Sequence, residues 1–275
     1  MGQLDGKVAF ITGVARGQGR SHAIRLAQEG ADIIGIDICE DHPFNAYPMA
    51  TEAELRETQQ LVEKEGRRML ATKADVRDLS QVKAALDAGV EELGRLDISI
   101  SNAAIAPMSF AKRSDEEDAE IFRAVVDVNL TGAWIAAKTA VPHIQAGGRG
   151  GSVIFISSTS GVKGYAGFAG AGGGYATAKA GVLSLTRSMA NALAPESIRV
   201  NAIVPTAVNT MMATNEQMTA WINEDPERAK HMANALPIGL VEPIDISHAI
   251  AYLVSDAARY VTGVSLPVDA GFTNK

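Results

Sequence analysis

The sequence predicts a doubly wound α/β fold, a seven-stranded parallel sheet with helices on both faces. Three observations lead there. Short β-branched runs alternate with helical segments along all 275 residues. The runs carry few polar residues, as strands buried on both faces do. No linker, repeat or charge block interrupts the alternation, so residues 1–275 read as a single domain.

The elements follow in order. KVAFIT (7–12) reads as the first strand, and GRSHAIRLAQEG (19–30) as a helix stopped by Gly30. ADIIGID (31–37) is the second strand and TEAELRETQQLVEKEG (51–66) the next helix. RMLATKAD (68–75) is the third strand, followed by the helix SQVKAALDAGVEELG (80–94) and the strand LDISISN (96–102). One long helix is expected through 116–145, then the strand GSVIFISS (151–158) and the helix YATAKAGVLSLTRSMANAL (175–193). IRVNAIV (198–204) is the sixth strand, a helix lies near 245–255, and VSLPVD (264–269) is the seventh strand.

Bulk properties narrow the function. Net charge is −7, which argues against nucleic acid or an anionic membrane as the main partner. Hydrophobic residues make up 47%, enough for a core without disulfides, and the single cysteine, Cys39, has no partner within the chain. That suits a reducing cytosol. MGQLDGKVAF has no signal-peptide pattern, and no apolar run approaches the ~20 residues that span a bilayer. A cytoplasmic protein is expected. The five histidines (His22, His42, His143, His231, His248) show no ligand spacing, so no metal is expected.

Strand one runs into ITGVARGQGR. Gly13, Gly17 and Gly19 let the backbone turn tightly and approach a pyrophosphate, with Arg16 and Gln18 between them. The following helix N-terminus offers free N–H groups and a partial positive charge. Asp37 ends strand two, followed by Ile38, where a carboxylate can accept from ribose hydroxyls and repel a 2′-phosphate. Arg16 pulls toward NADP; the weight rests on Asp37 and hence on NAD. Asp75 and Val76 end strand three, suiting adenine contact, and Asn102, Ala103 and Ala104 end strand four, suiting ribose or nicotinamide packing.

GYATAK (174–179) sets Tyr175 and Lys179 four residues apart, on one face of a helix. An isolated pair of this kind is ordinary surface. Here TGVARGQG, Asp37, ADV (74–76), SNAA (101–104), VNLTG (128–132), ISS (156–158), YATAK (175–179), NAIVPTAVNT (201–210) and YVTGVSLPVDAG (260–271) occur in one order. With these motifs the chain resembles the short-chain dehydrogenase/reductase family over nearly its whole length.

The resemblance implies a Rossmann-type domain and four catalytic positions, Asn129, Ser158, Tyr175 and Lys179. Tyr175 would exchange a proton with an alcohol or carbonyl oxygen. A free phenol has a pKa near ~10, too high for a base at neutral pH. An ammonium about 4 Å away, at an effective dielectric near 20, is worth roughly 4 kcal/mol, on the order of three pKa units downward. Ser158 would hold the substrate oxygen. The family uses the second serine of the pair, and along a strand only one of Ser157 and Ser158 faces the cleft; Ser160 is a weaker candidate. Asn129 would anchor a relay water, and Lys179 would also reach the nicotinamide ribose. Pro205, Val208 and Thr210 fall where the family meets the nicotinamide amide.

Three departures stand out. The stretch from Ser158 to Tyr175 is long, and its glycines at 170–174 suggest a flexible wall. Thr206 stands where the family usually has glycine after proline. An insertion, about 39–50, follows Asp37 and carries Phe44, Tyr47 and two prolines. It is expected to be ordered, at the adenosine end, covering bound nucleotide. The insertion, with GVARGQGRSHAIRLAQEGADIIGIDIC, resembles the mycofactocin-associated, carveol-dehydrogenase-like subgroup from actinobacteria. That likeness implies NAD that does not exchange freely and is reoxidised in place by a mycofactocin electron carrier.

Segment 206–239 is expected to be a substrate lid. Its Met211, Met212, Met218, Trp221 and Met232 either shape a pocket for a small hydrophobic secondary alcohol or ketone, or pack the lid on the domain. The resemblance also implies a homotetramer through the long helix and VSLPVDAGF. Two rival functions share the fold: an NADPH-dependent ketoacyl or quinone reductase, and a non-catalytic nucleotide-binding sensor.

Overall fold

The computed structural model describes residues 2–45, 47–108, 113–164, 169–224 and 226–275. In chain order the first half contains β1 (Val8–Thr12), α1 (Gly17–Gln28), β2 (Asp32–Asp37), α2 (Glu52–Lys64), β3 (Met69–Lys73), α3 (Leu79–Leu93) and β4 (Ile98–Ser101). Then come α4 (Asp115–Val126), α5 (Gly132–Gly147), β5 (Gly151–Ile156), α6 (Thr159–Lys163), α7 (Gly170–Leu193) and β6 (Ile198–Pro205). The chain closes with α8 (Met211–Thr214), α9 (Glu216–Glu224), α10 (Pro226–Met232), α11 (Pro243–Val254) and β7 (Ser265–Val268). Seven strands form one sheet in the order β3-β2-β1-β4-β5-β6-β7. Every neighbouring pair is parallel.

The inner strands of the sheet are buried on both faces, which is why they read as largely apolar runs, while the edge strands β3 and β7 are partly exposed. In β1, Val8 and Phe10 join one core and Ala9 and Ile11 the other. In β5, Val153 and Phe155 alternate with Ile154 and Ile156 in the same way. The strand order reverses between β1 and β4, and the crevice at that switch point is where this fold binds ligands. Among the described residues no helix is long and apolar enough to cross a membrane.

Two helices differ from expectation. The long helix through 116–145 is interrupted by a π-helical turn at Asp127–Thr131, which holds Asn129. One extra residue in a turn leaves no trace in apolar periodicity, and such turns collect at functional sites. The helix expected at 175 begins instead at Gly170, so the glycines 170–174 are helical, not a flexible wall. Their smallness serves contact with α4: a Cβ on Gly170 would lie 2.0 Å from the Asp118 carbonyl oxygen.

α1 packs against α11 around a fully buried histidine, His22. Ser247 Oγ donates to the Pro243 carbonyl at 2.9 Å and lies 2.8 Å from both His22 Nδ1 and Ser21 Oγ. A hydroxyl already donating must accept from the ring, so His22 is the neutral Nδ1–H tautomer. Burial lowers its pKa from 6.5 to about 3. The unfolded chain therefore binds the proton near 6.5 and the folded one near 3, and stability falls as pH drops through that window. By pH ~4.5 the loss is on the order of 3 kcal/mol. In urea melts at pH ~7 and ~4.5, His22→Asn is expected to lose about that much less than the wild type. Equal losses would mean that His22 does not carry this acid sensitivity.

Candidate active site

The carboxyl ends of the strands open into one cleft of about 1350 Å³. All the residues expected to meet the nucleotide line it except Gly19, and Ser158, Tyr175 and Lys179 line its other part. Gly19 lies behind the turn, where a Cβ would come within 2.0 Å of the Gly13 carbonyl oxygen. Gly13 has φ +68°, which keeps that turn in the left-handed region. Asn102 clamps it, Nδ2 donating to the Thr12 and Gly13 carbonyls at 3.0 and 3.1 Å. Its amide serves the turn first.

The cleft fits a dinucleotide. α1 has no side-chain cap and no acidic residue in its first turn, so its N–H groups stay open toward an anion. Gln18 Oε1 is buried without a hydrogen-bond partner in the chain. Asp37 sits at the end of β2, buried, accepting from the Ala15 N–H at 3.0 Å and the Cys39 N–H at 3.3 Å. Burial pushes its carboxyl above the usual range, opposed by those N–H groups and by Arg16. Arg16 itself donates to the Pro48 carbonyl and lies 3.8 Å from Glu54 Oε1. The cation that argued for NADP is thus bound by the insertion and α2. At the far end, burial works against Asp75's charge, but the Arg77 guanidinium and N–H hold its carboxyl below the usual range. Arg77 was not anticipated; its spacing from Asp75 is the signal that could have found it.

Ser157 and Ser158 both lie past the end of β5, so strand alternation does not separate them. Their partners do. Ser157 is buried and donates to the Lys179 carbonyl at 2.8 Å. Ser158 caps α6, accepting from the Ser160 N–H at 3.2 Å, and also hydrogen-bonds to Tyr175. Lys179, 3% exposed, donates through Nζ to the Ile156 carbonyl at 2.8 Å and lies 5.7 Å from the centre of the Tyr175 ring. Asn129 does not reach the cleft surface. Its side chain pins the exit of β4, Oδ1 accepting from the Ile105 N–H and Nδ2 donating to the Ile105 carbonyl, both at 2.8 Å.

The phenol behaves opposite to expectation. Burial pushes the Tyr175 pKa up to about 12, against the Ser158 hydrogen bond, and burial lowers Lys179 to about 8. The ammonium is engaged by the Ile156 carbonyl and lies 5.7 Å from the ring centre, and desolvation outweighs its attraction.

The insertion runs further than the adenosine end. Tyr47 is 8% exposed and faces the same cleft as Tyr175. Asn45 Nδ2 donates to the Tyr47 carbonyl at 3.2 Å, and Asp41 accepts from the Met49 N–H at 2.7 Å. Residue 46 lies outside the described residues. Met211, Met212, Met218 and Met232 line the cleft; the Trp221 side chain lies outside the description. Thr206, in place of the usual glycine, lies 3.0 Å through Oγ1 from Asn234 Oδ1 and so ties the lid's return segment to β6.

A family model described as enoyl-(acyl carrier protein) reductase matches residues 13–273. The chain is 48% identical over 283 aligned positions to (-)-trans-carveol dehydrogenase from Rhodococcus erythropolis, covering 100% of both. Its backbone matches the crystal structure of carveol dehydrogenase from Mycobacterium avium in complex with NAD, with TM-score 0.92, 47% identity and 100% of both chains covered. A short chain dehydrogenase from Mycobacterium paratuberculosis bound to NAD matches with TM-score 0.91 and 41% identity, again over 100% of both chains. Matched along its length in sequence and in backbone, the chain belongs to the short-chain dehydrogenase/reductase family.

Proposed function

We propose that the chain is an NAD-dependent alcohol dehydrogenase that interconverts a small hydrophobic secondary alcohol, terpenoid or alicyclic, and its ketone. The observation that carries this is the pairing, in one cleft, of Asp37 at one end with Ser158, Tyr175 and Lys179 at the other. The NAD-bound relatives and the carveol dehydrogenase likeness support the cofactor and the substrate class.

NAD, when bound, supplies the hydride acceptor. The chain supplies the rest. The α1 N-terminus receives the pyrophosphate, and Asp37 the adenosine ribose. Ser158 holds the substrate oxygen near Tyr175 Oη, which takes the hydroxyl proton during oxidation and returns it during reduction. With its pKa pushed up, Tyr175 is protonated at neutral pH and ready to donate to a ketone. Lys179 stabilises the phenolate formed in the oxidative direction. A relay from Lys179 past Asn129 runs through the asparagine main chain, since Ile105 holds its side chain.

The reading extends to the insertion. The insertion, about 39–50, fastened by Arg16 and reaching the cleft with Tyr47, covers the nucleotide and slows its exchange. A mycofactocin electron carrier then reoxidises it in place. Exposed Phe122 and Trp134 on the long-helix face suit a homotetramer. The test is turnover of carveol by protein purified without added nucleotide. Excess NAD goes to one sample and an artificial dye acceptor to the other. Turnover with dye and little with NAD is the expected result. Brisk turnover with free NAD would leave the dehydrogenase reading intact and remove the trapped cofactor. No turnover in either would remove carveol-like alcohols.

A further inference from the structure

Two parts of the cleft wall, distant in sequence, are fastened to one short segment. α6 begins just after Ser158 and ends at Lys163. The lid returns toward the sheet through residues 233–236. Segment 269–275 bonds to both. Lys163 Nζ donates to the Lys275 carbonyl at 2.9 Å and the Phe272 carbonyl at 3.5 Å, and lies 5.2 Å from the centre of the Phe272 ring. Lys275 Nζ donates to the Ala233 carbonyl at 2.6 Å. The N–H groups of Ala235 and Leu236 both donate to the Ala270 carbonyl, at 3.0 and 2.9 Å.

The segment is built to hold this shape. Ala270 has φ +49°, an uncommon conformation for a residue with a Cβ, and it aims the carbonyl that takes both lid N–H groups. The Asp269 carboxylate accepts from the Gly271 and Thr273 N–H groups at 2.9 and 2.8 Å and from Thr273 Oγ1 at 2.7 Å. Phe272 and Lys163 line the cleft with the lid methionines. An ammonium that faces a ring and donates to two carbonyls has little left to offer a ligand. What lines the pocket at this corner, besides the engaged ammonium, is the Phe272 side chain.

We infer that Phe272 and Lys163 determine substrate choice: Phe272 is a flat wall for the ring of a compact cyclic alcohol, and Lys163 is the positioning residue that holds this wall and the lid to the Ser158 helix. The inference rests on the alcohol dehydrogenase reading for its substrate, though not for its fastening.

The experiment compares wild type, Phe272→Ala, Lys163→Met and Lys163→Arg with cyclohexanol, carveol and the bulkier bicyclic borneol. Phe272→Ala is expected to shift the kcat/KM ratio about tenfold from carveol toward borneol. Lys163→Met is expected to raise KM for all three about tenfold with kcat changed far less, and Lys163→Arg to restore most of it. Amide hydrogen exchange at Ala235 and Leu236 should quicken about tenfold in Lys163→Met and not in Lys163→Arg. An unaltered substrate ranking in Phe272→Ala, or unaltered exchange in Lys163→Met, overturns the inference. So does a uniform loss of kcat and of nucleotide affinity, which marks general unfolding. If the wild type oxidises none of the three, the alcohol reading falls, and the exchange measurement still decides the fastening.

Discussion

Tyr175→Phe is expected to lower kcat about 10³-fold while nucleotide binding stays within about twofold. The ring remains, and with it the contact to the Lys179 ammonium at 5.7 Å. The hydrogen bond with Ser158 and the exchangeable proton go. The Tyr47 phenol and the Ser158 hydroxyl share the cleft with Tyr175. Ser157 is committed to the Lys179 carbonyl, and Lys179 to the Ile156 carbonyl. Stopped-flow oxidation of carveol and fluorescence titration of NADH measure the two halves separately. A variant retaining more than a tenth of the rate would remove Tyr175 as the proton carrier. A variant that loses nucleotide binding would make the phenol structural. A non-catalytic sensor would have no rate to lose, so the wild type decides that rival first.

The pH dependence follows from the same burial. Tyr175 stays protonated until high pH, near 12, while Lys179 gives up its proton near 8. Ketone reduction starts from the protonated phenol, the form present at neutral pH. Alcohol oxidation needs a positive charge beside the phenol to bring its pKa down.

The fold was legible because the inner strands are buried on both faces and four of them end at a recognisable site residue: the glycine turn after β1, Asp37 on β2, Asn102 after β4, the serine pair after β5. What escaped is what depends on contacts remote in sequence. Glycines 170–174 read as flexible because smallness looks the same whether it serves freedom or close packing against α4. The π-turn around Asn129 adds one residue to a continuous apolar pattern. Arg16 looked free for a phosphate because its partners, Pro48 and Glu54, lie 32 and 38 residues on. Asn234 and Phe272 have no motif; Thr206 and Lys163 give them meaning only once the chain is folded. The Tyr175 pKa was misjudged because spacing reports proximity and not the loss of water.

Asp37→Ser is expected to change the ratio of kcat/KM for NAD over NADP about 10³-fold. The carboxylate uses Oδ2 for the Ala15 N–H and Oδ1 for the Cys39 N–H, and each oxygen keeps a further lone pair for a ribose hydroxyl. Losing two hydrogen bonds to a charged acceptor, about 1.5 kcal/mol each, costs NAD roughly 10²-fold. Removing the charge relieves a 2′-phosphate by about another tenfold. Arg16 sets the limit on that gain, because its guanidinium is held by the Pro48 carbonyl and sits near Glu54. A second substitution, Glu54→Gln, loosens that hold and is expected to add further to NADP use, which a serine at 37 alone does not reach. Asp37→Ser also frees the Cys39 N–H, where φ is +47° and the insertion begins. Melting temperature is therefore read alongside, and a drop common to both nucleotides would be assigned to the loop. If the ratio stays put while the melting temperature holds, discrimination lies outside Asp37, and the insertion bound to Arg16 becomes the element that selects the nucleotide.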